Sequence, residues 1–170
     1  MIEDRLLSLW SLESGARGVG NASLLDQPLT AFFASRQCPG ASIRAAMAWA
    51  VEQARSKSPI ISGFHAPLEQ SVLEVMLAAG APCVIVIARK LEQAHFPPAW
   101  LLAVQNGTAA IVSMENTTRR LTAELAARRN YWVAEHATRI VVGHASTEGN
   151  LLRQATQWER DGQRRVKYLS

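Results

Sequence analysis

Residues 59–90 read PIISGFHAPLEQSVLEVMLAAGAPCVIVIARK. The segment begins and ends with apolar runs of strand length, and a helical pattern lies between them. Pro67 stands at the start of that pattern and Gly80 just past its end, which are the usual positions of these residues at helix boundaries. The segment therefore predicts a strand, a helix and a second strand, the repeating unit of a parallel sheet.

The same alternation extends over most of the chain. Further runs of strand length occur at 29–34, 109–113, 138–143 and 165–169, and helical patterns at 42–57, 98–106, 119–136 and 151–161. The pattern predicts an α/β fold, an open and mainly parallel sheet with helices on both faces. In a chain of 170 residues we expect one domain over 21–170, preceded by a short helical lead and Gly-rich loop over 1–20.

Polar or charged residues follow four of the predicted strands at the point where each strand ends. Ligands of open α/β sheets bind in the crevice at the carboxyl ends of the strands. We therefore expect one polar crevice that is built from distant parts of the chain. The four segments are Ser35-Arg36, 62–65, Arg89-Lys90 and 143–146.

Composition and missing motifs narrow the class of protein. No apolar run approaches the ~20 residues needed to cross a bilayer, and residues 1–5 lack the pattern of a signal peptide. Cys38 and Cys83 lack metal-ligand spacing, so we expect reduced thiols, no metal site and a cytoplasmic protein without a membrane partner. The dinucleotide fingerprint, the P-loop and the nucleophile elbow are absent, so no cofactor is expected.

The turn after the strand at 59–62 is suited to an anion. Ser62 and Gly63 precede the helix that begins at Pro67, and a helix N-terminus presents backbone N–H groups and the positive end of its dipole. Arg36, after the preceding strand, is a candidate charge-assisted partner of the same anion. Most of the 18 basic residues are arginine, whose planar fork matches phosphate.

Several segments, in the same order, resemble the DNA-processing protein A (DprA/Smf) family. The chain departs from the family at Ala34 and Phe64, where the family has glycine, and at His65 or Ala66, where it has a basic residue. The resemblance implies a Rossmann-like domain of the DprA type, related to the lonely-guy (LOG) nucleotide-binding group. Residues 20–28 correspond to the family's Gly-Asn-x-x-Leu-Leu segment, and residues 34–36 to its Gly-Ser-Arg. Residues 61–66 correspond to its Val-Ser-Gly-Gly-Ala-Arg-Gly turn, Arg129-Asn130 to its Arg-Asn-Arg element, and 140–143 to its penultimate strand.

The resemblance also implies a function. In the family this domain binds single-stranded DNA, self-associates and helps to load a recombinase. We therefore expect a nucleic-acid partner, a homodimer and contact with a recombination protein. The phosphate-binding positions that match the motifs, or stand beside them, are Ser35, Arg36, Ser62, Gly63, His65, Arg129 and Asn130.

Phe64 has two interpretations. An exposed aromatic ring beside a phosphate-binding turn can stack on a base, an interaction worth ~1–3 kcal/mol per base. The alternative is a ring packed between a helix and the sheet. Phe64 is included among the candidate nucleic-acid-binding residues, with the packing role left open.

A nucleotide-binding enzyme or sensor is the alternative function. Glu69 and Glu148 both stand near predicted helix N-termini at the crevice, and paired carboxylates are the usual groups of glycosidic cleavage. The LOG enzymes cleave the base–sugar bond of a nucleotide with an acidic residue in a Pro-Gly-Gly-x-Gly-Thr turn. The corresponding residues here, 144–150, lack Pro-Gly-Gly, which argues against catalysis.

Overall fold

A computed structural model describes residues 8–117, 120–162 and 164–169. Strands β1 to β8 are, in chain order, Trp10–Ser11, Arg17–Gly20, Thr30–Ala34, Ile60–Ser62, Cys83–Ile87, Ala109–Ser113, Arg139–His144 and Arg165–Tyr168. Helices α1 to α5 are Gly40–Ser56, Pro67–Ala78, Pro98–Gln105, Ala123–Glu135 and Asn150–Asp161, and a short 3-10 helix spans Ala22–Asp26. The helix predicted over 119–136 thus begins at Ala123, and residue 119 lies outside the described ranges.

The described strands form one sheet in the order β1-β2-β6-β5-β4-β3-β7-β8. The strands from β3 to β8 are parallel to one another, whereas β2 pairs antiparallel with β6, and β1 antiparallel with β2, at one edge of the sheet. After β6 the chain crosses to the other side of β3, so the strand order reverses between β3 and β7. The α/β, Rossmann-like and mainly parallel sheet is confirmed.

Apolar side chains cover both faces of the sheet, and successive residues of β3 supply one core each. Phe32 stacks on Trp49 of α1 with ring centroids 5.2 Å apart, on the face that α1, α2 and α3 cover. Phe33 stacks on Trp158 of α5 at 4.7 Å, on the face of α4 and α5. Because a parallel strand is buried on both faces, β3 is a continuous apolar run rather than an alternating one.

The predicted helical lead is wrong over the part of 1–20 that the structure describes, and residues 1–7 lie outside it. β1 and β2 form a hairpin at the sheet edge instead. The Trp10 indole lies against Gly18, where an added Cβ would come 2.3 Å from Trp10 Cη2, and its Nε1 donates to the Gly20 carbonyl at 3.0 Å. Glycine at residue 18 is therefore what lets the indole lie on the strand. The domain boundary at residue 21 stays a prediction.

Three expectations from composition can be compared with the part of the chain that the structure describes. Over 8–117, 120–162 and 164–169, no helix is long and apolar enough to span a bilayer. In the same ranges no three His, Cys, Asp or Glu side chains group as metal ligands would. Cys38 and Cys83 are free thiols, and burial raises the pKa of Cys83 to about 12. Cys83 is therefore a protonated core thiol.

Candidate functional site

A cavity of about 660 Å³ opens at the carboxyl ends of β4 and β5. The turn after β4, helices α2 and α3, and an arginine of α4 supply its walls. The sequence predicted a polar crevice at this edge of the sheet, and the cavity lies there. Its charged and apolar walls include His65, Arg89, Arg129, Leu73, Trp100 and Leu121.

The turn after β4 is held by Ser62 and filled by Phe64. Ser62 is fully buried, and its Oγ accepts the Phe64 N–H at 3.0 Å. Phe64 is only 2% exposed and packs in the core, so the expectation of an exposed ring is wrong and the packing interpretation holds. Its φ of 48° lies in the left-handed region, which costs a non-glycine residue about 1–2 kcal/mol. Burial of a Phe side chain stabilises by about 1.5–3 kcal/mol, enough to offset that strain.

Glu69 joins the end of β3 to the start of α2. One carboxylate oxygen, Oε2, accepts the Ala34 N–H at 3.0 Å. The other, Oε1, accepts the N–H groups of His65 at 3.0 Å and Ala66 at 3.2 Å. We expected the N-terminus of α2 to offer free N–H groups to an anion, and for these two groups that expectation is wrong. The chain's own carboxylate occupies them.

Glu69 and Arg129 are opposite charges in a largely dry part of the protein, with exposed fractions of 4% and 8%. Burial raises the pKa of the Glu69 carboxyl, while Arg129 and the three N–H donors act to lower it. Burial likewise lowers the pKa of Arg129, and Glu69 opposes that shift. Each charge therefore offsets part of the desolvation cost of the other.

Arg129 reaches the turn from α4, which continues unbroken past it. Its side chain lies against Gly63 so closely that an added Cβ there would be 2.3 Å from Arg129 Nε. Its Nε and Nη2 donate to Asn130 Oδ1 at 3.4 and 3.3 Å, and Asn130 Nδ2 donates to Gln154 Oε1 at 3.5 Å. The structure thus brings together Gly63, Arg129 and Asn130, three of the predicted site residues.

Gly63→Ala should displace the Arg129 guanidinium and lower the free energy of unfolding by about 1–3 kcal/mol, the usual cost of overpacking. Gly40→Ala is the matched control, because its Cβ would also meet an arginine, at 3.3 Å from Nη1 of the exposed Arg44. We expect that control to change stability by less than about 0.5 kcal/mol. Urea denaturation followed by circular dichroism measures both. Equal losses in the two variants would contradict the close fit at Gly63.

The charges of three arginines act on His65, which is itself exposed at the mouth of the cavity. The pKa of His65 is lowered by partial burial first, and then by the charges of Arg129, Arg36 and Arg89. Arg36 and Arg89 are exposed, and Ser113 Oγ donates to the Arg89 carbonyl and fixes the backbone there. Segments after β3, after β5 and in α4 therefore direct positive charge to one place.

Ser35 connects the two strands at which the strand order reverses. Its N–H donates to the His144 carbonyl at 2.8 Å, and its Oγ accepts the Ser146 N–H at 2.7 Å. The crevice between β3 and β7 is thus bridged by Ser35, and the cavity lies on the β4–β5 side. Because Arg36 is the next residue, the two hydrogen bonds of Ser35 also help to position Arg36.

The two candidate carboxylates are in different settings. Glu69 is buried and both of its oxygens accept backbone N–H groups. Glu148 is exposed on the turn before α5, on the β7 side of the sheet. The structure therefore does not present them as two similar carboxylates facing one cavity.

Most residues of the cavity wall were not among the predicted binding positions, and Arg89 and Trp100 are two of them. The sequence does carry a signal for Arg89, because it is a charged residue directly after a predicted strand. Trp100 is partly buried against the core while it also lines the cavity. Nothing in the spacing of the α3 sequence distinguishes those two roles.

Comparison with known proteins bears on the fold. No protein-family model and no curated protein matches the chain. DNA processing protein A (DprA) from Streptococcus pneumoniae is similar with a TM-score of 0.75 and 18% identity, over 98% of this chain and 64% of that one. DNA processing protein A from Helicobacter pylori, which binds single-stranded DNA, is similar with a TM-score of 0.71 and 15% identity, over 94% and 90% of the two chains. The chain therefore has the fold of DNA processing protein A, as its sequence motifs predicted, whereas the relation to the LOG group stays a prediction.

Proposed function

We propose that this chain binds single-stranded DNA through its phosphates at the carboxyl edge of the sheet. The observation that carries the proposal is that His65, Arg89 and Arg129 line one cavity, and that the charge of the exposed Arg36 also acts on His65. Guanidinium groups bind phosphate oxygens in bidentate, charge-assisted contacts. The fold shared with a protein that binds single-stranded DNA supports the same ligand.

The candidate residues divide between contact and support. Arg36, Arg89 and His65 are exposed and available to a phosphate, whereas Ser62 is fully buried and holds the turn. Because Glu69 occupies N–H groups at the start of α2, phosphate contact falls to arginine side chains rather than to the backbone. Glu69 has a structural role in this proposal, and no hydrolase activity is assigned to it.

Binding of this kind should weaken as salt rises, by about 0.7 log unit of affinity per phosphate contact for each log unit of salt. We expect Arg36→Ala and Arg89→Ala each to lower the affinity at low salt and to reduce that slope by about 0.7. Arg55→Ala is the control, since Arg55 lies in the last turn of α1 at the opposite edge of the sheet. Fluorescence anisotropy with a labelled oligonucleotide, between about 50 and 200 mM salt, measures both quantities.

Two results would contradict the proposal. One is the absence of binding at the lowest salt concentration. The other is an Arg36→Ala, Arg89→Ala double variant that binds as tightly, and with the same salt dependence, as the Arg55→Ala control.

His65 predicts a pH dependence of binding. In the free protein its pKa lies below the ordinary value of a histidine because of partial burial and the charges of the three arginines. A bound phosphate offsets those charges, so the pKa of His65 should rise on binding and the complex should take up a proton. The affinity should then increase as pH falls through the interval between the two pKa values and stay level above it. Anisotropy titrations from about pH 8 to pH 5.5 test this, and His65→Gln should flatten the profile.

Self-association and contact with a recombination protein, which the resemblance implies, belong to the same proposal. Leu102 and Tyr131 are large side chains that are 58% and 59% exposed in the isolated chain. Sedimentation velocity over a range of protein concentrations tests whether the chain forms a homodimer.

A small nucleotide remains the alternative ligand of the site.

A further inference from the structure

The β5–α3 loop, residues 88–97, carries Arg89 to the cavity wall. The structure describes this loop throughout, and it contains neither helix nor strand. Its first turn is fixed at two points, because Ser113 Oγ donates to the Arg89 carbonyl and the Leu91 side chain is fully buried in the core. The direction in which Arg89 points therefore depends on what holds the rest of the loop.

Glu92 joins this loop to the hairpin at the sheet edge. Arg17 of β2 donates through Nε to Glu92 Oε2 at 2.6 Å and through Nη2 to Glu92 Oε1 at 3.2 Å. The two side chains are 18% and 31% exposed, and such a bidentate contact is among the strongest that an arginine makes with a carboxylate. The hydrogen bond from Arg17 is also the main cause that lowers the pKa of Glu92, so this carboxyl is ionised at neutral pH.

The same arginine is linked to the helix that carries Arg129. Arg17 Nη2 also donates to the Glu115 carbonyl at 2.7 Å, and Glu115 Oε1 pairs with Nη2 of Arg128 in α4 at 3.2 Å. Glu115 is only 7% exposed, so this link is held within the protein. Arg17 lies outside the described wall of the cavity, yet it connects to both segments that bring arginine side chains into that wall.

We propose that Arg17 is a positioning residue for nucleic-acid binding, which acts through Glu92 to hold the β5–α3 loop so that Arg89 meets a phosphate. The inference rests on the proposed function, and it adds the edge hairpin to the elements that build the site. A loop that is released from the hairpin, together with its arginine side chain, has to be fixed when DNA binds. The loss of that freedom weakens the affinity.

Glu92→Ala tests the proposal by the sign of its effect. If only charge matters, removal of a carboxylate near a phosphate site should raise the affinity for DNA, because a repulsion is lost and Arg17 is set free. If Arg17 positions Arg89, the same change should lower the affinity at low salt by about two- to tenfold, because the loop is released. Glu74→Ala is the matched control, since Glu74 is exposed on the cavity wall and its removal should raise the affinity.

A double-variant cycle separates positioning from a purely structural role. Arg17→Ala should lower the affinity by about two- to tenfold in the wild-type chain, but by less than about twofold in the Arg89→Ala chain, where no side chain is left to position. An arginine that bound phosphate itself, or that acted only on the stability of the fold, would have the same effect in both chains. Fluorescence anisotropy with one labelled oligonucleotide at low salt measures the four affinities, and urea denaturation checks that each variant is folded.

The outcomes distinguish this inference from the proposed function. Unchanged or tighter binding by Glu92→Ala would overturn the positioning role and leave phosphate binding standing, and so would equal losses from Arg17→Ala in the two chains. If Arg17→Ala does not fold, the same cycle is run with Glu92→Ala, which changes only a partly exposed loop residue. Absence of binding by the wild-type chain at the lowest salt concentration would overturn the proposed function itself.

Discussion

Glu69→Ala is expected to lower the free energy of unfolding by about 3–5 kcal/mol, because three backbone N–H groups lose their acceptor and each unsatisfied donor costs about 1–3 kcal/mol. The variant leaves the N–H groups of Ala34, His65 and Ala66 without their acceptor and leaves Arg129 without its counter-charge. Glu69→Gln keeps one acceptor oxygen, so we expect a smaller loss of about 1–3 kcal/mol. Urea denaturation, followed by tryptophan fluorescence, measures both values.

Glu52→Ala is the control for this series, because Glu52 is exposed on α1. Its effect should stay within about 0.5 kcal/mol. If Glu69→Ala is no more destabilising than Glu52→Ala, the carboxylate does not hold β3 and α2 together.

Arg129→Ala is expected to reduce both stability and DNA binding. The Glu69 carboxylate loses the positive charge that acts to keep it ionised, and we expect a cost of about 1–3 kcal/mol in the free energy of unfolding. The positive charge behind the exposed Arg36 and Arg89 is lost as well, and we expect this to lower the affinity by less than about tenfold, since the guanidinium is not itself a charge-assisted phosphate contact. Denaturation and anisotropy measurements on the same preparation separate the two effects, provided that binding is measured at a temperature where the variant is folded.

Arg128→Ala is the stability control for Arg129→Ala, because the two arginines are adjacent in the chain. The Arg128 side chain is 58% exposed and pairs with Glu115 at 3.2 Å, so Arg128→Ala should cost no more than about 1 kcal/mol. A double variant, Glu69→Gln with Arg129→Met, should lose less stability than the sum of the two single changes, because each single change strands the other charge. Additive losses would show that Glu69 and Arg129 do not interact.

The sequence predicted the sheet well where burial is continuous. β5, Cys83–Ile87, is buried at every residue, and Pro67 and Gly80 bound the preceding helix, so periodicity and boundary residues agree. The hairpin of β1 and β2 was missed because a strand of two residues has no readable period. Its sheet partner, β6, is also about ninety residues further along the chain.

The charged residues of the candidate site could be predicted from the sequence, but the contacts that hold the site in place could not. Arg36, Gly63 and Arg129 were found through short motifs; Arg129 lies against Gly63, and the charge of Arg36 acts on His65 of the same turn. The inward position of Phe64 depends on a backbone φ of 48°, which residue type does not disclose. Glu69 acts by accepting hydrogen bonds from backbone N–H groups, one of them at Ala34 of β3. Backbone groups carry no sequence signal.

A carboxylate that is part of the fold cannot diffuse away from the donors it satisfies. Backbone loops that rely on a ligand to fill their donors must order when the ligand arrives, and that ordering subtracts from affinity. In this chain the Glu69 carboxylate already accepts the N–H groups of the loop after β4, so that loop is preorganised. Association should therefore be fast and should leave the backbone of residues 62–69 nearly unmoved.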